Sequence, residues 1–424
     1  MLLSKLSSII KPLNPIDISN GNKVKKFTLR FRLKSFIRKI FIEKKISLID
    51  TSYLLKHLFI KIVSIVYLPL AIILYLFGYK FIYVSYWQIG TMALHVNTLI
   101  KKINIEGKNS KKFIFLSPKL ICANPGLNEV YKQEIIVCEN LFFCILLTPF
   151  LEISFLTLNP FSIEYGEKNG KSFYIDSIYK KKNKKNLVYK YPLDKKRKYE
   201  NQIKNKNIKF NGKLVIINLR SNYPHKSSRS VNEKAYLKSI KYLLRKNYSC
   251  IVYSEYTFKF KHKFFNQLKI RNEEDKYLQV FLYSLAKFCI VTESGPRFLA
   301  NLFDKPCYCT NLIPYSSIFS YNRKDLTIPQ KIYFKKNKKI LNLDEIFFKF
   351  NLQNFYKHSN NIKYIKNTSK EIYEGLKEFM IHQKKTKSPY LIFSKKIKEE
   401  YFMHYTESFY GNGVLSKKFF TKLL

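Results

Sequence analysis

The chain has 424 residues, of which 46% are hydrophobic and 16% aromatic, and its 77 Lys and Arg exceed its 29 Asp and Glu to give a formal net charge of +48. The apolar content, with 36 Phe and 32 Tyr, excludes a disordered basic tail protein, and the 12 Gly and 14 Pro exclude a collagen-like or linker-dominated chain. The length allows two or three domains of about 100 to 200 residues each.

The positive charge comes mostly from lysine, with 67 Lys against 10 Arg. Because Arg is the residue that base edges and paired phosphate oxygens favour, this composition argues against specific nucleic-acid recognition. The chain is also rich in Ile, Asn, Phe and Tyr, whose codons are A/T-rich, so compositional bias explains much of the Lys content. The excess charge still favours anionic membrane surfaces and anionic substrates.

The seven Cys form an odd, irregularly spaced set that lies mostly inside apolar runs such as LFFCILL and AKFCIV. This pattern predicts reduced cytoplasmic thiols and no disulfide framework. Cys307 and Cys309 have one residue between them, and no second pair stands at metal spacing, so we predict no metal site.

The N-terminal part predicts membrane association. Residues 5–61 carry 14 Lys and Arg against 3 Asp and Glu, and residues 62–79 are an uncharged run with Pro69 near its middle. A run of 18 residues lies at the lower limit for a bilayer span. Since a strand is predicted to begin at Lys80, we favour a monotopic or hairpin insertion kinked at Pro69 over a single crossing, with a buried core helix as the alternative. The basic flank predicts the cytoplasmic face of the membrane.

Beyond residue 80, strands alternate with helical periods, which is typical of parallel sheets. Strands are predicted over 80–86, 112–118, 213–219, 250–253, 288–292 and 306–310, and helices over 232–246, 277–287 and 296–303. The predicted fold class is α/β with two Rossmann-like domains. We expect a basic segment with a membrane-associating helix over 1–79, an N-terminal domain with a Lys-rich linker over 80–205, a C-terminal domain over 206–350, and a helical tail over 351–424.

Ligands of doubly wound sheets bind beyond the carboxyl ends of the strands, and three such ends are unusual here. Gly90 follows the first strand, where a Gly lets the backbone approach a phosphate, although any strand-to-helix turn favours Gly. Arg220 and Arg229 follow the strand at 213–219 and suit bidentate binding of a diphosphate, with a structural ion pair as the alternative for Arg220. His225 lies between them as a candidate general base, or as a solvated loop residue.

The third strand end is Thr292-Glu293-Ser294-Gly295-Pro296-Arg297. A Ser hydroxyl, a Gly backbone N–H and a helix N-terminus converge there, with Arg297 one turn into the helix, and this combination predicts a phosphate site. The alternative is an N-capped structural helix, which Ser and Pro alone would explain.

These segments resemble, in order and spacing, a family of bacterial glycosyltransferases linked to surface polysaccharide synthesis. The resemblance rests on QIGTMALHV, on NLRSNYPHKSSRSVNEKAYLKSIKYLLRKNYSCIVYSE, on CIVTESGPRFLANLFDKPCYCTNLIPYSS and on DLTIPQKIY. It implies a GT-B-like fold and metal-independent transfer of a hexosyl or deoxyhexosyl group from a nucleotide sugar to a glycan or lipid-linked acceptor, with no further cofactor. It implies donor-phosphate roles for Arg220, Ser294, Gly295 and Asn311, and it places Gly90 and His95 on the cleft side of the N-terminal domain.

The chain departs from the family pattern in two places. The family's strand end resembles HxRD, whereas Asn218 replaces the His and Ser221 replaces the acid here, and the Arg expected after the next strand is absent at Tyr253. Glu255, Glu293 or His225 would have to supply the general base, and we take His225 and Glu293 as the catalytic candidates. The rival function is a non-catalytic basic protein that binds nucleic acid or anionic membranes through charge alone. Donors of heptosyltransferase or fucosyltransferase type also remain open.

Overall fold

The computed structural model describes residues 48–158, 171–184, 186–220, 228–355, 359–385, 388–402 and 409–424. They form two compact units. The first contains residues up to 123 together with 131–158, and the second contains 124–130 together with the described residues from 171 onward. The candidate base His225 and the neighbouring Ser221 lie outside the described residues.

The first unit is built on a four-stranded parallel sheet of order β3-β2-β1-β4. The strands are β1 (Lys80–Ile82), β2 (Phe113–Leu116), β3 (Ile136–Cys138) and β4 (Thr157–Leu158). The strand predicted over 80–86 therefore ends earlier, and the prediction of parallel α/β structure is confirmed.

The apolar run over residues 62–79, for which a kink at Pro69 was predicted, falls on a bent pair of helices whose break lies two residues earlier, at Tyr67. Helix α1 (Leu48–Val66) and helix α2 (Leu68–Leu76) meet at Tyr67, with Pro69 in the first turn of α2. Pro lacks a backbone N–H and cannot continue an α-helix without distortion, which accounts for the break. Among the described residues, no single helix is long and apolar enough to cross a membrane. The pair Leu58–Val66 and Leu68–Leu76, bent by 62°, passes that test together.

The remaining helical segments of the first unit follow the strands. A π-helical turn (Met92–Val96) separates α3 from α4, and a 3₁₀ segment (Thr148–Glu152) follows α6. The helices are α3 (Ile89–Thr91), α4 (Asn97–Ile105), α5 (Pro125–Tyr131), whose residues up to 130 belong to the second unit, and α6 (Leu141–Leu147).

The second unit contains a seven-stranded parallel sheet of order β14-β10-β9-β8-β5-β6-β7. Its strands are β5 (Leu214–Asn218), β6 (Ser249–Tyr253), β7 (Phe265–Leu268), β8 (Phe288–Val291), β9 (Cys307–Leu312), β10 (Leu326–Pro329) and β14 (Val414–Leu415). A separate antiparallel sheet contains β11 (Lys331–Phe334), β12 (Lys339–Ile340) and β13 (Ile362–Ile365).

Besides most of α5, eight helices lie in the described part of the second unit. They are α7 (Lys171–Asn183), α8 (Leu193–Asn205), α9 (Leu237–Arg245), α10 (Glu273–Leu285), α11 (Arg297–Leu302), α12 (Ser369–Lys384), α13 (Pro389–Tyr401) and α14 (Lys417–Phe420). The second unit also contains a 3₁₀ turn at Glu233–Tyr236 and another at Tyr315–Ser317.

The Lys-rich stretch expected to be a linker forms α7 and α8 instead. Tyr199 and Ile203 of α8 are buried, and the Tyr199 ring lies 5.3 Å from that of Phe281 on α10. The lysines point outward while these apolar positions bury one face, so the stretch belongs to the second unit. The C-terminal segment is likewise part of this unit, because β14 pairs with β10 and Phe420 is buried.

Candidate functional site

The strand order of the second sheet reverses between β5 and β8. From β5 the chain proceeds through β6 to β7 on one side and through β8, β9 and β10 on the other. In open parallel sheets, ligands bind outside the carboxyl ends of the strands at this reversal. Arg220 follows β5 and the segment from Thr292 follows β8, so both lie at the reversal point.

Arg220 lies two residues beyond the end of β5. Its backbone N–H donates to Thr292 Oγ1 at 3.2 Å, and its carbonyl oxygen accepts from the Val231 N–H at 3.0 Å. The first bond joins Arg220 to the turn after β8, and the second joins it to Val231. The side chain of Arg220 is half-buried.

Arg229 lies near the end of the loop after β5 and connects it to the same turn. Its Nε donates to the Glu293 carbonyl oxygen at 3.4 Å. The preceding carbonyl, that of Ser228, accepts from Gln330 Nε2 at 2.6 Å. The structure thus brings both predicted loop arginines to the carboxyl edge of β5 and β8.

Ser294 and Gly295 form the tight turn that leads into α11. The Ser294 hydroxyl donates to the Thr292 carbonyl at 3.3 Å, and the Ser294 carbonyl accepts from the Arg297 N–H at 3.1 Å. Helix α11 is only six residues long, so its dipole is small. Ser294 and Gly295 directly follow Thr292 and Glu293, the two residues that bond to the loop arginines.

Arg297 is 4% exposed and belongs to the framework of the turn. Its Nη1 lies 3.4 Å from Glu293 Oε2, one helical turn earlier, and its Nη2 donates to the Ser317 carbonyl at 3.4 Å. Because Arg297 is buried and bonded to these protein groups, its pair with Glu293 is a structural ion pair. The carboxylate of Glu293, predicted as a catalytic base, is the anionic half of that pair.

Asn311 is 1% exposed and has a positive φ of 54° within β9. Its Oδ1 accepts from the Asn367 N–H, and Asn367 Oδ1 accepts from the Asn311 N–H, each at 2.7 Å. Its Nδ2 donates to the Tyr236 hydroxyl at 2.9 Å. The amide predicted to bind a donor phosphate is therefore used to connect β9 with the segments at 236 and 367.

Gln330 is a residue that the sequence analysis missed. It is buried, and its Nε2 donates to both the Ser228 carbonyl and, at 3.2 Å, the Asn311 carbonyl. It therefore connects the end of β10 with the loop after β5. It stands within DLTIPQKIY, one of the segments that carry the resemblance, and only that signal pointed to it.

Gly90 and His95 lie in the first unit. Gly90 is in α3, the first helical turn after β1, and His95 is in the π-helical turn that follows. Burial lowers the pKa of His95 to about 4, so its imidazole is neutral at pH 7. Such π-helical turns are frequent at functional sites.

No group of three or more His, Cys, Asp or Glu side chains in the described part of the chain is placed to hold a metal ion.

No protein-family model and no curated protein matches the sequence. Among solved structures, the chain is similar to a glycosyl transferase family 9 protein from Veillonella parvula, with a TM-score of 0.39 and 10% identity over 55% of this chain and 81% of that one. It is similar to the dodecameric iron-containing heptosyltransferase TibC from E. coli in complex with ADP-D-beta-D-heptose, with a TM-score of 0.33 and 12% identity over 55% of this chain and 58% of that one. It is also similar to the E. coli heptosyltransferase WaaC with ADP, with a TM-score of 0.32 and 11% identity over 55% and 88% of the two chains. These neighbours in the solved structures are glycosyltransferases, and two of the three are heptosyltransferases.

Proposed function

We propose that the chain is a glycosyltransferase that moves a sugar from a nucleotide-sugar donor to a glycan or lipid-linked acceptor in surface polysaccharide synthesis. The observation that carries the proposal is the position of Arg220 and Arg229 at the reversal point of a doubly wound seven-stranded sheet. The segments that place them there are those that resemble the glycosyltransferase family.

The chemistry of sugar transfer explains why two arginines suit this edge. The bond between the anomeric carbon and the diphosphate oxygen breaks, and its electron pair leaves with the nucleoside diphosphate. The acceptor hydroxyl oxygen forms the new bond to the anomeric carbon and loses its proton to a base. Guanidinium groups fixed beside the diphosphate stabilise the charge that develops on it.

We assign the donor diphosphate to Arg220, Arg229 and the backbone of Ser294 and Gly295. Arg297 and Asn311 hold the framework of the same edge, because both are buried and bonded to protein groups. The proton acceptor is His225 or Glu293. Their variants differ in expected effect, since Glu293→Gln would also weaken the Arg297 pair and lower stability, whereas His225→Ala would lower kcat alone.

We also propose that the protein works at the cytoplasmic face of a membrane, as a peripheral, monotopic or single-pass protein. The bent pair of α1 and α2 supports this, because most of the apolar side chains described in it are exposed, including Ile62, Ile65, Leu70, Ile73 and Leu76. Exposed apolar patches of this kind mark interaction surfaces.

The proposal is tested by a thermal-shift screen over nucleoside diphosphates and nucleotide sugars in buffer containing EDTA, followed by mass spectrometry of mixtures with candidate acceptors. We expect one nucleoside diphosphate and its sugar derivatives to raise Tm saturably, and the shift to persist with EDTA. Charge-driven binding would instead respond equally to all nucleotides and to duplex DNA and would fall steeply with salt. That result would favour the non-catalytic basic protein.

A further inference from the structure

We propose that α6 forms part of the membrane-binding face, so that the first unit inserts two elements distant in sequence into the surface of an anionic lipid leaflet. This inference rests on the proposed membrane association and adds a second element to it. The bent pair of α1 and α2 supplies one part of the face and α6 supplies the other.

Helix α6 has no polar outer face. Its sequence is LFFCILL, in which Cys144 is fully buried while Phe142 is 67% and Phe143 is 53% exposed. Ile145 and Leu146 are exposed as well. A surface helix of a soluble protein places polar residues opposite its buried stripe, and α6 places large apolar side chains there.

The inner sides of α2 and α6 enter the same apolar cluster. Ala71 of α2 and Cys144 of α6 are both buried in it, together with Phe81 of β1, Leu116 of β2 and Phe150. Both helices therefore cover one apolar cluster on the same face of the sheet.

Contacts between the bent pair and the segment after α6 hold the two elements together. The ring of Tyr67 lies 5.1 Å from that of Phe150, and the ring of Tyr75 lies 5.3 Å from that of Phe155, both edge to face. The Ser64 hydroxyl also donates to the Pro149 carbonyl at 3.0 Å. The bent pair is thus packed on the first unit. A surface that binds the bent pair would therefore also lie close to α6.

Cations at the end of α2 indicate what covers this face. Lys112 Nζ donates to the Phe77 carbonyl at 2.9 Å, and Lys80 Nζ lies 5.7 Å from the centre of the Tyr75 ring. The exposed aromatic side chains Tyr75 and Phe77 therefore stand beside two lysines, an arrangement typical of the membrane–water interface. The sequence before α2 adds the net positive charge of residues 5–61, which anionic headgroups attract. The positive charge beside this apolar face therefore favours an anionic bilayer as its partner.

The length of α6 limits how it can bind. Seven residues rise about 10 Å, far less than the hydrocarbon core of a bilayer, so α6 lies along the interface. Burying two Phe side chains there should change membrane partitioning by at least about tenfold.

The test is flotation of the full chain with phosphatidylglycerol–phosphatidylcholine vesicles and with phosphatidylcholine vesicles. The variant is Phe142→Ser with Phe143→Ser. The matched control is Leu193→Ser with Ile392→Ser, which removes two side chains of the second unit that are 82% and 78% exposed. We expect wild type and control to bind the anionic vesicles equally, and the α6 variant to bind at least tenfold more weakly with an unchanged Tm.

Three other outcomes would overturn the inference, and they are distinguishable. If wild type binds neither vesicle, membrane association itself fails. If Ile73→Ser with Leu76→Ser abolishes binding while the α6 variant binds like wild type, only the role of α6 fails. If the α6 variant binds normally but converts a dimer to a monomer in light scattering, a second copy of the chain covers this face.

A depth measurement checks the same point without removing the apolar side chains. The chain has one Trp, Trp87, so Phe143→Trp in a Trp87→Phe background gives a single reporter on α6. We expect brominated lipids to quench its fluorescence. Emission unaffected by vesicles that do bind the protein would contradict the insertion of α6.

Discussion

Arg220, Arg229 and Arg297 all lie around the turn after β8, and burial separates their roles. Arg297 is buried against Glu293 and Ser317, whereas Arg220 and Arg229 are half-buried on the loop after β5. From the sequence, all three arginines were predicted to bind phosphate, because the spacing of Arg297 from the strand suits a phosphate as well as an ion pair. The bond from Arg297 to the Ser317 carbonyl depends on the fold of residues 315–317, so it could not be predicted from the sequence.

The buried ion pair of Arg297 and Glu293 predicts that removing the arginine destabilises the protein. Arg297→Met should lower the free energy of unfolding by about 3 kcal/mol, because it leaves the Glu293 carboxylate without its partner. The double variant Arg297→Met with Glu293→Gln should recover part of the loss. Urea unfolding measures the free energy of unfolding of both variants. If Arg297→Met keeps its stability but loses nucleotide binding, Arg297 belongs to the donor site instead.

Asp325 gives a prediction about pH. Burial raises its pKa from the ordinary 3.8 to about 6, although the Ser320 hydroxyl, the backbone N–H groups of Cys307 and Asn322, and Arg297 act in the opposite direction. The folded protein therefore keeps this proton at a pH where the unfolded chain has lost it. The contribution of Asp325 to the free energy of unfolding should therefore fall by about 3 kcal/mol as the pH rises from about 4 to 6.

Asp325→Asn should flatten that part of the stability profile, as urea unfolding across the pH range would show. The same slope in wild type and variant would mean that Asp325 titrates normally.

At the scale of elements, the strands at the centre of the second sheet were predictable from sequence. The cores of these strands, LVII and FCIV, are apolar throughout, as is typical of strands buried on both faces, and β5 and β8 lie where these runs predicted them. The pairing of β14 with β10 was not predictable, because it joins residues that are distant in sequence. Helices α7 and α8 were missed, because their many Lys and Asn residues hide the few apolar positions that they bury.

Helix α12 packs so closely on the sheet at Gly375 that a larger side chain there should be destabilising. A Cβ at Gly375 would lie 2.3 Å from the Tyr308 hydroxyl, which donates to the Ile372 carbonyl at 2.9 Å. Gly375→Ala should therefore destabilise the protein by about 1–3 kcal/mol. Helix propensity alone predicts a gain of about 1 kcal/mol, so a higher Tm in the variant would contradict this close approach.

For the whole molecule, the net charge of +48 has several sources with different meaning. Many lysines lie on outward faces of helices such as α8, where they need no ligand. Others lie beside the apolar face of the first unit. The few cations that we assign to chemistry are arginines at the reversal point of the second sheet.

The sequence could predict two α/β units and the arginines after β5. It placed their boundary near residue 205, whereas the described units divide before residue 171. The reason is that a Lys-rich composition resembles a linker until the buried face of the helices is seen. The general base stayed open between His225 and Glu293, because Ser221 stands where the resemblance implies an acid.

The central claim is that the edge of β5 and β8 binds the diphosphate of a nucleotide sugar. The most direct measurement is calorimetric titration of the nucleoside diphosphate selected by the thermal-shift screen into wild type, into Arg220→Ala with Arg229→Ala, and into Arg245→Ala, which removes an exposed arginine at the end of α9. We predict one-site binding to wild type and to Arg245→Ala, and affinity at least about a hundredfold lower in the double variant, since hydrogen bonds to charged groups contribute about 1.5–3 kcal/mol each. Equal affinity in all three folded proteins would contradict the account.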